Sequence, residues 1–271
     1  MVRRMKTTSK LPIPDGAIKE AGLLFHHDIV SKVKWHNIPD ALILNLDQTP
    51  SKYVSTSQTT LAKKNSKSVT IVGGSDKRSI TAKFAVSYDG TFLPMQLIYG
   101  GKTTQSLPKF KFPSSFSLSV NPTHYSNEIE ACKMIDEIIA PYIKHVRERD
   151  DLPKDQKALL TMNVFSGQMT QAVLDTLQKE GILLSRVPAG MTHIYQVLDL
   201  TVNGYAKRFM KKKFNEWYTK QVSQQLDEGK EVEEIEVKLH LKTMKPIHAK
   251  WLTEFYNYMT TPEGKKVIES G

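Results

Sequence analysis

"ALILNLD", residues 41–47, is a short apolar run that ends on an aspartate. Its length suits a strand buried on both faces, and the "QTPSK" that follows reads as a turn. Such a strand belongs inside a sheet with helices on each side, so this stretch sets the fold class as α/β. It also puts Asp47 at a strand's carboxyl end, where loops fan apart and leave a crevice.

Outward from that strand the chain alternates. "SVTIVGG" (68–74) is a weaker strand, and "RSITAKFAVSYDGTFLPMQLIYGG" (78–101) is a hairpin turning at Asp89-Gly90. A loop is expected from about 100 to 123, marked by Leu107-Pro108 and Phe112-Pro113. A helix then opens on a capping box, Asn127 with Glu130, and carries Ile129, Met134, Ile138 and Ile139 on one stripe. Pro141 is expected to kink or break it. "ALLTMNVFSGQMT" (158–170) is another buried strand, closing at Asn163. A helix over about 168–180 ends at Gly181, "ILLSRVP" is a strand, and a long helix runs from Tyr195 to Leu226 with Leu198, Val202, Tyr205, Phe209 and Phe214 towards the core. The order is β-β-β-α-β-α-β-α. Residues 1–39 form a basic, proline-punctuated arm with a helix opened by Asp15; 40–226 form the core domain; 227–271 hold an acidic segment and an appended helix with Ile247, Trp251, Leu252 and Phe255.

The 271 residues, 39% hydrophobic and 24% charged, suffice for one sizeable core. A lone Cys132 excludes an internal disulfide, the opening "MVRRMKTTSK" lacks a secretory apolar stretch, and no apolar run has membrane-spanning length, so a reducing compartment and no membrane are expected. The formal charge is +10 and it is patterned. Residues 50–115 carry ten Lys/Arg against Asp76 and Asp89, and 205–220 carry six against Glu216, whereas 227–237 hold six acids against Lys230. One such cluster reads first as a solvated face; several together point to a polyanion. Candidate nucleic-acid contacts are Lys52, Lys63, Lys64, Lys67, Lys77, Arg78, Lys102, Lys207, Arg208 and Lys211. The eight histidines and single cysteine show no zinc-ligand spacing.

Three positions line up: Asp47, Asn163 at the end of its strand, and Asp199 in the first turn of the long helix. Alone, each has a plain reading, as a turn aspartate, a buried amide and a helix-start acid. The spacing from 163 to 199 leaves room for one helix, one strand and a turn, so strand neighbours can bring all three to one end of a sheet. Acids at all three places would hold two divalent ions for phosphodiester chemistry. Asn203, one turn beyond Asp199, and His193 stand ready to support the site.

These residues sit in stretches that resemble the DDE endonuclease domain of pogo/Tigger-type transposases and their domesticated relatives, including the transposase-like part of centromere protein B. The stretches are "LILNLDQTP", "SDKRSITAKFAVSYDGTFLPMQLIYGGKT", "HYSNE", "ALLTMNVFSGQMT", "VPAGMTHIYQVLDLTVNGYAKRFMKKKFNEWY" and "MKPIHAKWLTEFYNYM", in order across nearly the whole chain. The resemblance implies a ribonuclease H-like mixed five-stranded sheet with helices on both faces and a C-terminal helical extension. It implies Mg²⁺ or Mn²⁺ at a two-metal site, with Asp47 and Asp199 as first and third acids and Asn163 in the place of the second. Val197 stands where the family has proline, and Gly190 where it has asparagine. The expected partner is DNA, with sequence-specific recognition by a helix-turn-helix region upstream of "VRRM", a homodimer as the assembly, and the nucleus as the compartment. A neutral amide among the acids weakens metal binding, so the expected activity is an impaired DDE nuclease; the alternative is a domesticated, non-catalytic DNA- or chromatin-binding protein.

Overall fold

Everything is arranged around β1 (Ile43–Lys52), the strand at the middle of the sheet. The structure, a computed structural model, describes residues 15–55, 78–163, 170–231 and 234–270. On one flank β1 pairs antiparallel with β2 (Ser79–Ser87), and on the other it pairs parallel with β5 (Ala158–Asn163), from Ile43↔Leu159 to Leu46↔Met162. With β3 (Gln96–Gly100), β4 (Ser117–Asn121) and β6 (Ile182–Val187) the sheet is mixed, in the order β4-β3-β2-β1-β5-β6. The α/β class and the mixed sheet are as the sequence suggested.

The sheet has six strands rather than five. The extra one, β4, lies inside the stretch read as a loop. Its pattern conceals it: Ser117 and Ser119 are buried while Leu118 and Val120 are only half-buried. The serines face polar partners, Ser117 donating to Glu137 (2.6 Å) and Ser119 accepting from Lys133 (3.4 Å), so the usual apolar-in alternation is inverted. The strand expected over 68–74 lies outside the described residues.

Asp47 does not end β1, as the "QTPSK" turn implied; the strand runs on to Lys52. Tyr53 N–H donates to Arg78 O (3.2 Å), and the alternation of an antiparallel ladder then turns the nitrogen of Pro50 away from β2. A proline is tolerated there because the β2 ladder never needed its N–H.

One face of the sheet is covered by α2 (Glu128–Met134), a π-helical turn (Ile135–Ile139), α3 (Ala140–Arg149) and α4 (Gln171–Lys179). Half of the capping box is present: Asn127 accepts from Glu130 N–H at 3.0 Å, while the Glu130 carboxylate accepts from Gln96 at 3.5 Å. Pro141 breaks nothing. It follows the π-helical turn and sits in the first turn of α3, where a missing N–H is tolerated. The other face is covered by α7 (Val202–Asp227), α8 (Leu241–Met259) and α9 (Pro262–Glu269), packed around Phe84, Phe92 and Phe255. An N-terminal helix, α1 (Asp15–His36), is pinned on β6 by Lys32, which donates to Leu184 O and Asp28, both at 2.7 Å.

The long helix expected from Tyr195 is three helices: α5 (Thr192–Tyr195), α6 (Val197–Leu200) and α7. The first break falls at Gln196, which is extended and fully buried. Asp199 therefore rides on a four-residue helix rather than on the long one.

Candidate active site

Asp47 follows Leu46, which pairs with Met162, and Asn163 follows Met162. The two residues consequently stand side by side and both border one pocket under α2 and α4, together with the buried Lys83, while the Asp47 carboxyl turns to the α7 side. Asp199 arrives from the other direction, and buried amides place it. Asn45 donates to Thr161 Oγ1 (2.8 Å) and to Gln196 Oε1 (3.2 Å), while its own oxygen accepts from Leu198 N–H (3.2 Å). Gln196 in turn donates to Leu46 O at 2.8 Å. These bonds fix α6 across β1 and β5 one residue before Asp199.

Asn203, in the first turn of α7, closes the arrangement. Its single Nδ2 donates both to Asp47 Oδ2 (2.6 Å) and to Asp199 Oδ1 (2.9 Å). The carboxyls of Asp47 and Asp199 thus both accept from one nitrogen. Burial first, and the charge of Asp199 second, push the Asp47 carboxyl up to about 7; the donated bonds from Gln48 and Asn203 only partly oppose this. Asp199 is exposed, so the pair opens to solvent. Asn163 Nδ2 donates to Thr192 Oγ1 (3.0 Å) on α5.

Two carboxylates with uncompensated mutual repulsion are a donor set of hard oxygens that suits Mg²⁺ or Mn²⁺. The set stops short of a three-acid centre: among the described residues no group of three or more His, Cys, Asp or Glu could hold a metal ion. Asn163 adds no charge.

The sequence reading missed Lys83. Its ammonium is buried and donates to Glu130 O at 3.1 Å, and burial brings its pKa down to about 7 against the opposing pull of Glu130 and Cys132. The signal was present as a lone charge within the apolar run of β2. Asn45 and Gln196 were missed as well, and carried no signal, since each needs a partner far away in sequence.

The basic candidates divide. Lys52, Lys207 and Lys211 line one groove of ≈ 400 Å³ between the carboxyl half of β1 and α7, floored by Phe84, Met210 and Leu252. Asn203 lies one turn before Lys207 on α7, so this groove leads away from the acid pair. Arg208 lies in a different cleft, over the Tyr205 ring (5.8 Å). Arg78 donates to Leu239 O (2.9 Å) beside the start of β2, and Lys102 follows β3 on an exposed loop. Lys63, Lys64, Lys67 and Lys77 lie outside the described residues, as does the side chain of His193 on α5.

The profile of a family described as "DDE superfamily endonuclease" matches residues 77–246, which include Lys83, Asn163, Asp199 and Asn203. The chain belongs to the DDE superfamily endonucleases. Among curated relatives, the human "Pogo transposable element with KRAB domain" is 24% identical over 224 residues, covering 80% of this chain and 35% of the relative. The human "Pogo transposable element with ZNF domain" is 24% identical over 204 residues, covering 75% and 14%. The DDE chain thus spans about a third or less of the length of these relatives. The pogo-type kinship read from the sequence stands. In fold, the domain is similar to the Mos1 mariner transposase in a "paired end complex with Mn", with a TM-score of 0.51 at 10% identity over 98% of this chain and 68% of that one. The "pre-cleavage Mos1 transpososome" gives the same TM-score, 0.51, over 97% and 67%. The mixed sheet is therefore the ribonuclease H-like fold of a transposase-derived DDE endonuclease domain. No helix among the described residues is long and apolar enough to cross a membrane.

Proposed function

We propose that this DDE domain binds DNA in the nucleus along the groove of Lys52, Lys207 and Lys211, with its phosphodiester chemistry impaired by Asn163. The observation that carries the reading is the neutral Asn163 in one pocket with Asp47, while Asp47 and Asp199 are held together by Asn203. Asp47 and Asp199 would hold Mg²⁺ or Mn²⁺. When bound, such ions activate a nucleophile and stabilise the leaving oxygen of a phosphodiester. The protein's own share is positional. The Asn45–Gln196 bonds hold the acids together, the groove lysines take phosphates as point charges, and Asn203 keeps two like charges in register.

Nicking of supercoiled DNA in Mg²⁺ and in Mn²⁺ tests this. Wild type is expected to nick weakly or not at all, and Asn163→Asp to gain at least ten-fold. Robust cleavage by wild type sinks the impairment. A second reading, a co-opted DNA-binding module without turnover, is favoured by the lysine groove alone, and it expects wild-type DNA affinity with no gain of cleavage in Asn163→Asp.

A further inference from the structure

The amide of Asn203 touches both acids through the same nitrogen, at 2.6 and 2.9 Å. Its other polar atom, Oδ1, is buried without a hydrogen-bond partner, and the residue as a whole is only 1% exposed. A buried acceptor left unpaired is costly and rare.

Electrostatics supplies a reason. Nδ2 stands between Oδ2 of Asp47 and Oδ1 of Asp199, the place a cation would occupy to offset both charges. An N–H group presents the positive end of its dipole, which suits two bare carboxylates and repels a metal ion. A cation entering that place therefore forces the amide to turn. Rotation about Cβ–Cγ exchanges Nδ2 for Oδ1, and amide carbonyl oxygens are ordinary ligands of hard divalent ions. We propose that Asn203 is a ligand as well as a spacer: its Oδ1 is the third protein oxygen on a divalent cation held by Asp47 and Asp199. The assignment rests on the reading of the acid pair as a cation site. It gives this DDE domain a two-acid, one-amide site whose third ligand comes from α7 rather than from β5.

The test uses Mn²⁺ alone as the probe, on the whole chain without DNA. Binding is followed by calorimetry and by the loss of the free-ion electron paramagnetic resonance signal. Asn203→Leu keeps the bulk and removes the oxygen, and is expected to weaken Mn²⁺ binding at least ten-fold; Asn203→Asp keeps an oxygen, adds a charge, and is expected to tighten it at least ten-fold. A Mn²⁺-soaked crystal of wild type, located by anomalous scattering, should show Asn203 Oδ1 in direct coordination, at roughly 2.1 Å as for a small hard cation. If Asn203→Leu fails to fold, as a thermal melt would show, the soaked crystal and Asn203→Asp still decide. Wild-type affinity in a folded Asn203→Leu, or an ion on Asp47 and Asp199 with the amide still turned away, overturns the assignment and leaves the cation site intact. No Mn²⁺ binding by wild type or by Asn163→Asp overturns the cation site itself, and this assignment with it.

Discussion

Asn45 and Gln196, 151 positions apart, meet beneath the acid pair: Asn45 Nδ2 donates to Gln196 Oε1 at 3.2 Å, and both residues are buried. Through this contact the sheet dictates where α6 begins, and hence where Asp199 stands. Gln196→Ala leaves Asn45 and Leu46 O each one partner short in the interior. The expected loss is about 2–4 kcal/mol, read as a lower midpoint in urea unfolding with unchanged slope. The same variant should bind Mn²⁺ more weakly than wild type, although the Gln196 side chain bonds neither carboxyl.

Asp47 imposes a pH dependence on the metal-free domain. Its carboxyl has an ordinary value of 3.8 in the unfolded chain and about 7 in the folded one. Between those values this group makes the folded state bind more protons than the unfolded state, so the contribution of Asp47 to stability is fullest below about 4 and is lost as pH rises through about 7. The stability of wild type relative to Asp47→Asn, read as melting temperatures in a chelator, should decline across that window. Asp199→Asn should shrink the decline without abolishing it, because burial outweighs the neighbouring charge.

His248 works in the opposite sense. It is fully buried on α8, shares a hydrogen bond of 2.9 Å with Ser51 on β1, and packs against the Tyr53 ring at 4.9 Å. Burial depresses its pKa from 6.5 to about 3. The unfolded state therefore binds the extra proton first, and the stability present above 6.5 drains away as pH falls towards 3. His248→Phe should flatten the acid limb of the stability curve over that window while lowering stability at neutral pH. An unchanged acid limb would remove His248 from the explanation.

The lysine groove predicts a salt signature. If Lys52, Lys207 and Lys211 each neutralise one phosphate, replacing all three by glutamine should reduce the slope of log affinity against log salt by about 2.7 at about 0.9 per contact. Fluorescence anisotropy with a labelled duplex measures it. Arg208→Gln, on the other flank of α7, should change the slope by less than any one of the three.

The frame was legible wherever burial and pattern agree. Strands β1, β5 and β6 are short apolar runs; the β2–β3 hairpin turns at Asp89-Gly90, with Gly90 at φ +84 as a tight turn needs; and Asn127 announced its helix. Where pattern and burial part, the sequence misled. Inward-facing serines concealed β4, and Asp47 looked terminal because a proline three residues on resembles a turn. The breaks at Gln196 and Thr201 were invisible because Leu198, Val202 and Ala206 keep helical spacing while joining one core. Of the site, the two acids and the amide between them came through resemblance. Asn45 and Gln196 did not, since a buried amide pair is defined only by the fold that closes it.

Pro50 has a consequence for solution behaviour. A strand from a neighbouring molecule seeking to extend β1 beyond its pairing with β5 would need a continuous row of donors, and at residue 50 the row has a gap facing outward. The proline thus guards the one stretch of the central strand that carries the acid and the groove lysine against edge-to-edge aggregation, which allows an open cleft to persist at the heart of a sheet.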